Sequence, residues 1–139
     1  MYVIVDSNIP IAATNTNDPN SEECSALLKK LSADGYKVVA PVTQLWNLVA
    51  YNQHPEKSKG HVQNMDLAFA IEHHDVTHEL FATTYTEAMI AIKGPDRVFV
   101  SLAKHLGLPL LTNDAQVLKN SAALGVKAIS AAEFLGGGA

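Results

Sequence analysis

The chain has 139 residues and is 47% hydrophobic, so it is long and apolar enough for one domain with one buried core. Its one cysteine, Cys24, excludes an internal disulfide and a cysteine-rich zinc site, and a reducing, cytoplasmic setting is the simplest interpretation. The net charge of -4 excludes a globally basic nucleic-acid footprint, although a bound cation reverses the local sign in an acidic nuclease. The first residues do not have the pattern of a signal peptide, and no apolar run reaches the ~20 residues that span a bilayer.

The first half of the chain alternates strand patterns with helix patterns. Residues 2–5 are an apolar, β-branched run typical of a buried strand. After a polar loop, Ser21 is in position to cap a helix whose apolar residues recur at helical spacing. The predicted elements of this half are a strand over 2–5, a helical turn over 9–13, a helix over 21–33, a strand over 37–40 and a helix over 43–52, capped by Thr43.

The second half continues the alternation. Gly94 and Pro95 break the chain before a new helix, and Gly107 is a good C-cap for that helix. We expect one domain over residues 1–135 and a flexible Gly-rich tail over 136–139. The predicted elements are a helix from 54 whose spacing runs to Glu72, a weak strand or loop at Val76, helices over 84–92 and 96–105, a strand over 108–111, a helix over 115–124, a strand over 126–129 and a last turn to 135, capped by Ser130. Strands that alternate with helices predict an α/β fold, with a mostly parallel sheet covered on both faces.

Three aspartates stand where such a sheet places its binding sites. Asp6 and Asp114 each closely follow an apolar strand, and Asp96 lies in the first turn of a helix. Sites in open α/β sheets lie just beyond the carboxyl ends of the strands, so we expect the three carboxylates to converge on one acidic pocket. Carboxylates that meet in this way repel one another unless a hard cation such as Mg²⁺ neutralises them. Water held by such a cation is the nucleophile of phosphodiester cleavage.

Each aspartate also has an ordinary structural explanation. Asp96 complements the helix dipole, and both Asp114 and Asp6 are placed to cap the turns that follow their strands. A phosphoacceptor or phosphatase with Asp6 as its nucleophile is a further alternative, but Asn8 stands where the second aspartate of such a site is needed. Only the combination of the three aspartates points to a metal.

Three segments resemble the PIN-domain family, which includes the VapC-type toxin ribonucleases. Residues 2–8 look like the family's apolar strand followed by Asp-Ser/Thr-Asn, and residues 94–103, with Asp96, are similar to the segment that holds its third acid. Residues 106–114 look like its last signature, a strand that ends in Thr-x-Asp. These matches keep the family's order and spacing and bracket nearly the whole chain.

The resemblance implies a three-layer α/β/α sandwich with a mostly parallel central sheet. It also implies a Mg²⁺- or Mn²⁺-dependent endoribonuclease that cleaves single-stranded RNA, forms a homodimer and, as a toxin, pairs with an antitoxin protein. Asp6, Asp96 and Asp114 would be its catalytic and metal-binding acids. The polar residues expected to support them are Ser7, Asn8, Thr112 and Asn113.

One position departs from the family's pattern. The family has a glutamate on the helix after its second strand, whereas residues 41–50 hold no acid. Gln44 is the first choice for that position, because residues 44–48 look like a Glu-Phe-Trp-Asn-Val run, and Asn47 is the second. An amide oxygen can coordinate a metal, but it carries no charge and cannot act as a base. A catalytically weakened or inactive RNA-binding or scaffold protein is therefore the alternative function.

Cations flank the third acid. Lys93 precedes it and Arg97 follows it, and both are candidates for contacts with RNA, with a plain solvated surface as the alternative. Cys24 lies on the apolar face of its helix, which favours a buried structural thiol. The chain has no Gly-x-Gly-x-x-Gly, Walker or Gly-x-Ser-x-Gly motif, so nucleotide-cofactor and serine-hydrolase functions lack support.

Overall fold

The computed structural model describes residues 1–43 and 71–137. Residues 44–70, which hold most of the helices predicted over 43–52 and from residue 54 together with Gln44 and Asn47, lie outside these ranges. Within them, no helix has the length and apolar character needed to cross a membrane.

A five-stranded parallel sheet forms the centre of the molecule. The strand order is β3-β2-β1-β4-β5, and every neighbouring pair is parallel. Ile4 in the central strand pairs with Val39 on one side and Leu110 on the other. Parallel strands that are covered on both faces are apolar throughout, which accounts for the unbroken apolar runs in the sequence. The strands are β1 Tyr2–Val5, β2 Lys37–Pro41, β3 Glu72–His74, β4 Leu110–Leu111 and β5 Ala128–Ile129.

Six helices lie along the described chain. They are α1 Asn8–Thr14, α2 Ser21–Ala33, α3 His78–Thr84, α4 Gly94–Leu106, α5 Ala115–Asn120 and α6 Ala131–Leu135. Short 3-10 helices at Glu87–Ala91 and Ala122–Leu124 connect some of them. Helix α4 ends at Gly107, whose φ of 66° lies in the left-handed region that glycine adopts without strain, as the sequence predicts.

Alternate strand residues bury their side chains in two separate cores. Val3 and Val5 pack with α1, α2 and α6 on one face of the sheet, whereas Ile4 packs with α4, α5 and the Glu87–Ala91 helix on the other. This division follows from the two-residue period of a strand. The predicted α/β class and three-layer α/β/α arrangement with a parallel sheet are confirmed.

Several predicted elements are wrong in detail. Ser21 is the first residue of α2 and does not cap it, because Asn20 occupies the N-cap position. Glu72 belongs to strand β3 and not to a helix. Val76 lies in the loop after that strand, which is one of the two alternatives predicted for it. The helix predicted over 84–92 begins and ends earlier, because the hydroxyl of Thr77 accepts a hydrogen bond from the backbone N–H of Leu80 and starts α3 there. Extended backbone at Tyr85 and Thr86 then ends α3 before the 3-10 helix.

Candidate functional site

The three aspartates lie at the carboxyl-terminal rim of the sheet. Asp6 directly follows β1 and Asp114 is the N-cap of α5, just after the neighbouring strand β4. The backbone N–H of Asp6 donates to the carbonyl of Leu111 at 2.9 Å, which joins the two strand ends. Asp96 lies in the first turn of α4, which covers the same sheet. The charges of Asp96 and Asp114 act on the pKa of Asp6, and the charge of Asp114 acts on that of Asp96, so the three carboxyl groups are close enough to interact.

Thr112 connects Asp6 with Asp114. The Thr112 side chain is fully buried, and its hydroxyl donates to Oδ2 of Asp6 at 2.8 Å. The hydroxyl oxygen of Thr112 also accepts hydrogen bonds from Nδ2 of Asn8 at 3.2 Å and from the backbone N–H of Asp114 at 3.1 Å. Because a hydroxyl has one proton and two lone pairs, these bonds use its full capacity and fix the direction of the proton toward Asp6.

Asp6 is buried and only partly satisfied. The residue is 1% exposed, and its Oδ1 has no hydrogen-bond partner among the residues that the structure describes. Among the described residues, the other buried side-chain oxygen in this condition is Oγ1 of Thr43, which follows the neighbouring strand β2. Burial raises the pKa of Asp6 from 3.8 to about 6, with further increases from the charges of Asp96 and Asp114. The hydrogen bond from Thr112 and the backbone N–H of Ser7 act in the opposite direction.

Asp96 and Asp114 are more accessible. Burial is the main cause that raises the pKa of Asp96, followed by the charge of Asp114, whereas the Lys93 ammonium lowers it. Asp114 has the capping role that its position suggested, because its Oδ1 accepts the backbone N–H groups of Gln116 at 2.9 Å and Val117 at 3.0 Å. The capping bonds use Oδ1 and leave Oδ2 outside the cap. Capping and ligand binding are therefore compatible at this residue.

Asn113 holds the rim to three helices. Its Oδ1 accepts the backbone N–H of Ala131 at 3.0 Å, and its Nδ2 donates to Sγ of Cys24 at 3.3 Å. Its own backbone N–H donates to Oδ1 of Asn8 at 3.4 Å. Cys24 is buried, as the sequence predicts, and burial raises the pKa of its thiol to about 11. The sequence alone does not show that this thiol is a hydrogen-bond acceptor for a residue beside the site.

The two cations that flank Asp96 differ in their surroundings. Arg97 donates from Nε to the carbonyl of Ile92 at 2.7 Å and from Nη2 to that of Ile90 at 3.2 Å. Two of the three guanidinium nitrogen atoms thus bind the segment that precedes α4. The sequence did not predict this structural role. Lys93 is exposed, and its charge acts on Asp96. Ser7 is buried and occupies the N-cap position of α1 without capping it through its side chain.

The residues fit a hard divalent cation by their chemistry. Carboxylate oxygens are the ligands that Mg²⁺ and Mn²⁺ prefer, and the unpartnered Oδ1 of Asp6 is a buried oxygen that a cation would satisfy. Residues 1–43 and 71–137 do not contain three or more His, Cys, Asp or Glu side chains already arranged as a metal-binding group. The three aspartate carboxylates interact through their charges. Their side chains would have to move closer together to bind one cation jointly.

Comparison with known proteins gives the fold its name. No protein-family model matches the chain, and it has no significant match among curated protein sequences. The structure is similar to VapBC2 from Rickettsia felis bound to a promoter DNA fragment, with a TM-score of 0.70 and 16% identity over 94% of this chain and 98% of that one. A PilT N-terminus domain protein from Sulfolobus solfataricus matches 99% of this chain and 93% of its own at 16% identity, with a TM-score of 0.64. FitAcB from Neisseria gonorrhoeae matches 94% of this chain and 98% of its own at 19% identity, with a TM-score of 0.65.

The chain has the PIN-domain fold. The resemblance of the sequence to PIN domains is therefore confirmed at the level of the fold. In this PIN fold, Asp6, Asp96 and Asp114 come from three elements that are far apart in the sequence. Identities of 16–19% establish the fold and leave the activity to be argued from the site.

Proposed function

We propose that this PIN-fold protein is a Mg²⁺- or Mn²⁺-dependent endoribonuclease that cleaves single-stranded RNA and acts as a toxin. The observation that carries the proposal is the grouping of Asp6, Asp96 and Asp114 at one rim of the sheet, where the charges of Asp96 and Asp114 help to raise the pKa of Asp6 and the charge of Asp114 helps to raise that of Asp96. Buried like charges are costly unless a cation compensates them, so their retention at one rim favours a metal-binding role.

Within this proposal, the chain's own residues orient the acids and attract the substrate. Asp6 would bind the cation through Oδ1, because Thr112 and Asn8 hold its Oδ2. Asp96 and Asp114 would supply the other carboxylates. The exposed Lys93 beside Asp96 offers a positive charge to the RNA backbone. A bound divalent cation supplies an activated water and offsets the charge that develops on the phosphate.

An antitoxin partner and a homodimer complete the proposal. The structural likeness to VapBC2, to VapBC-1 from nontypeable Haemophilus influenzae and to FitAcB supports pairing with an antitoxin protein. The homodimer rests on the family resemblance of the sequence. Light scattering on the purified chain, whose monomer mass is 14.9 kDa, tests the dimer directly.

The decisive experiment is an RNA cleavage assay with purified protein. We expect cleavage of a single-stranded RNA with Mg²⁺ or Mn²⁺, none with EDTA, and none from the Asp6→Asn variant. Asp34→Asn is the matched control, because Asp34 is exposed and forms a surface ion pair with Lys30 at 3.5 Å. A wild-type protein that cleaves no RNA with either metal would refute the proposal.

A second candidate function has its own support. The amide in place of the family's glutamate, together with the absence of a preformed metal-binding group in the described residues, favours a catalytically weakened or inactive RNA-binding or scaffold protein. The Gln44→Glu variant separates the two functions. A gain of cleavage over an inactive parent supports the scaffold, whereas a fully active parent refutes it.

A further inference from the structure

A second concave surface lies between α3 and α4, on the flank of the helix that carries Asp96. It is a pocket of about 230 Å³. Gly94 and Arg97, on either side of Asp96 in the sequence, both line it. The pocket therefore reaches the first turn of α4, the turn that also carries Asp96. Its apolar and aromatic walls come from Val76, Leu80, Phe81, Tyr85 and Val98.

The pocket presents aromatic rings to solvent. Phe81 is 57% exposed, and its ring stacks on that of Tyr85 with centroids 4.9 Å apart and an angle of 23° between the rings. His78 lies on the other side of Phe81 along the helix, with ring centroids 6.4 Å apart. Residues three and four apart share one face of a helix, so α3 aligns the three rings in a row. Tyr85 packs against the core that contains Ile4, whereas Phe81 belongs to neither core described here and presents its ring to solvent.

Arg97 places a fixed cation at the wall of the same pocket. Its hydrogen bonds to the carbonyls of Ile92 and Ile90 hold the guanidinium plane in place. An arginine side chain has five N–H donors, so this arrangement leaves some of them available to an anion. Neither of the two ion pairs seen among the described residues involves Arg97. Within this part of the chain, no carboxylate therefore pairs with its guanidinium group.

We propose that this pocket binds one base of a single-stranded RNA, with Arg97 against the adjoining backbone; the proposal rests on the proposed function. Unstacked bases bind on aromatic rings and on arginine planes, and the pocket combines both. A base is also the flat group that the exposed ring of Phe81 accommodates. Because Gly94 and Arg97 in the first turn of α4 line the pocket and Asp96 belongs to the same turn, the nucleotide held there would be bound by the helix that also carries one of the proposed metal-binding acids.

The test measures RNA binding in the absence of cleavage. The Asp6→Asn protein serves as the parent, and its affinity for a fluorescently labelled single-stranded RNA is measured by anisotropy. We expect Phe81→Ala in this parent to weaken binding about tenfold, the loss typical of one stacked base. Phe81→Trp should retain the affinity because it keeps a stacking surface. The matched control is Ile90→Ala, because the Ile90 side chain is 64% exposed and does not line the pocket.

The outcomes separate this inference from the proposed function. Equal affinities of the parent and Phe81→Ala overturn the base pocket and leave the ribonuclease proposal standing. A parent that binds no RNA, combined with a wild type that cleaves none, overturns both. Light scattering is run on each variant, and a change of mass on Phe81→Ala would show a protein interface in place of the base pocket and overturn it.

Discussion

Thr112 controls how Asp6 is used, because one hydroxyl orients one of the two carboxylate oxygens. The bond to Oδ2 leaves Oδ1 as the oxygen without a partner. Replacement by valine keeps the shape of the side chain and removes three hydrogen bonds. We expect Thr112→Val to lower the free energy of unfolding by about 1–3 kcal/mol, since buried polar groups lose their partner.

Urea unfolding measures this change. Thr112→Ser retains the hydroxyl and should lose only about 1 kcal/mol through the missing methyl group. Thr83→Val, at an exposed position on α3 where the hydroxyl bonds only the backbone, is the surface control. A Thr112→Val protein as stable as the wild type would contradict the role of this hydroxyl.

The pKa of Asp6 makes stability depend on pH. In the folded protein this pKa is about 6, against 3.8 for an unperturbed carboxyl group, so the folded state binds the proton more tightly than the unfolded state. The resulting stabilisation is fully present below pH 4 and is lost as the pH rises through about 6. In EDTA, we expect Asp6→Asn to gain stability over the wild type by about 3 kcal/mol at pH 8, and by little at pH 4.

Denaturant unfolding at the two pH values measures this difference. The exposed Asp34→Asn variant should change stability by less than about 0.5 kcal/mol at either pH. If Asp6→Asn and the wild type differ equally at pH 4 and pH 8, the buried carboxyl group is not responsible for the pH dependence.

The sequence was sufficient to predict where the strand-end aspartates lie in the fold. It was not sufficient to predict the hydrogen bonds around them. The strand-end rule was sufficient to place Asp6 and Asp114 at one rim, because each follows an apolar run. The hydrogen bond between Asn113 and Cys24 joins residues that are 89 positions apart, and no sequence pattern predicts that these two side chains meet. The sequence predicts Arg97 as a contact for RNA or as a solvated surface cation, and only the fold shows that carbonyls of the preceding segment hold its guanidinium group.

Helix α5 depends on the same aspartate that the acidic site uses. The carboxylate of Asp114 caps two backbone N–H groups. We expect Asp114→Ala to lower the free energy of unfolding by about 1 kcal/mol, whereas Asp114→Asn should stay within about 0.5 kcal/mol of the wild type, because asparagine caps as well as aspartate.

Thermal or urea unfolding of the two variants isolates the cap, because both lack the charge at position 114. Equal losses in the two proteins would show that the charge, and not the cap, stabilises this helix end. With the cap retained, Asp114→Asn then tests metal binding without a change in the helix.

The elements that sequence reasoning missed, strand β3 and helix α3, were missed for different reasons. Strand β3 is a three-residue edge strand of polar residues, so it has no apolar alternation from which to predict it. Helix α3 carried a usable signal, because Thr77 stands three residues before Leu80 at the spacing of an N-cap. Strands β1, β2 and β4, which are buried on both faces, were predicted well because burial imposes a continuous apolar run.

At the scale of the whole molecule, the strand order brings distant parts of the chain to one rim. Strand β4 lies beside β1, so Thr112 meets Asp6 across 106 residues of sequence. The alternation of strands and helices predicts a parallel sheet, but it does not determine this order. The resemblance to PIN domains implied a mostly parallel central sheet, and the strand order itself is seen in the structure.

A cation shared by three elements should therefore stabilise the entire fold. Asp6, Asp96 and Asp114 belong to the ends of β1, α4 and β4, and binding in the folded state alone adds about 2.7 kcal/mol at a hundredfold excess over Kd. We expect Mn²⁺ to raise the melting temperature of the wild type by several degrees, and EDTA to reverse the rise. Asp6→Asn and Asp96→Asn should each abolish most of this shift, while Asp34→Asn should keep it. A full shift in Asp96→Asn would remove Asp96 from the metal site and leave Asp6 and Asp114 as its remaining carboxylates.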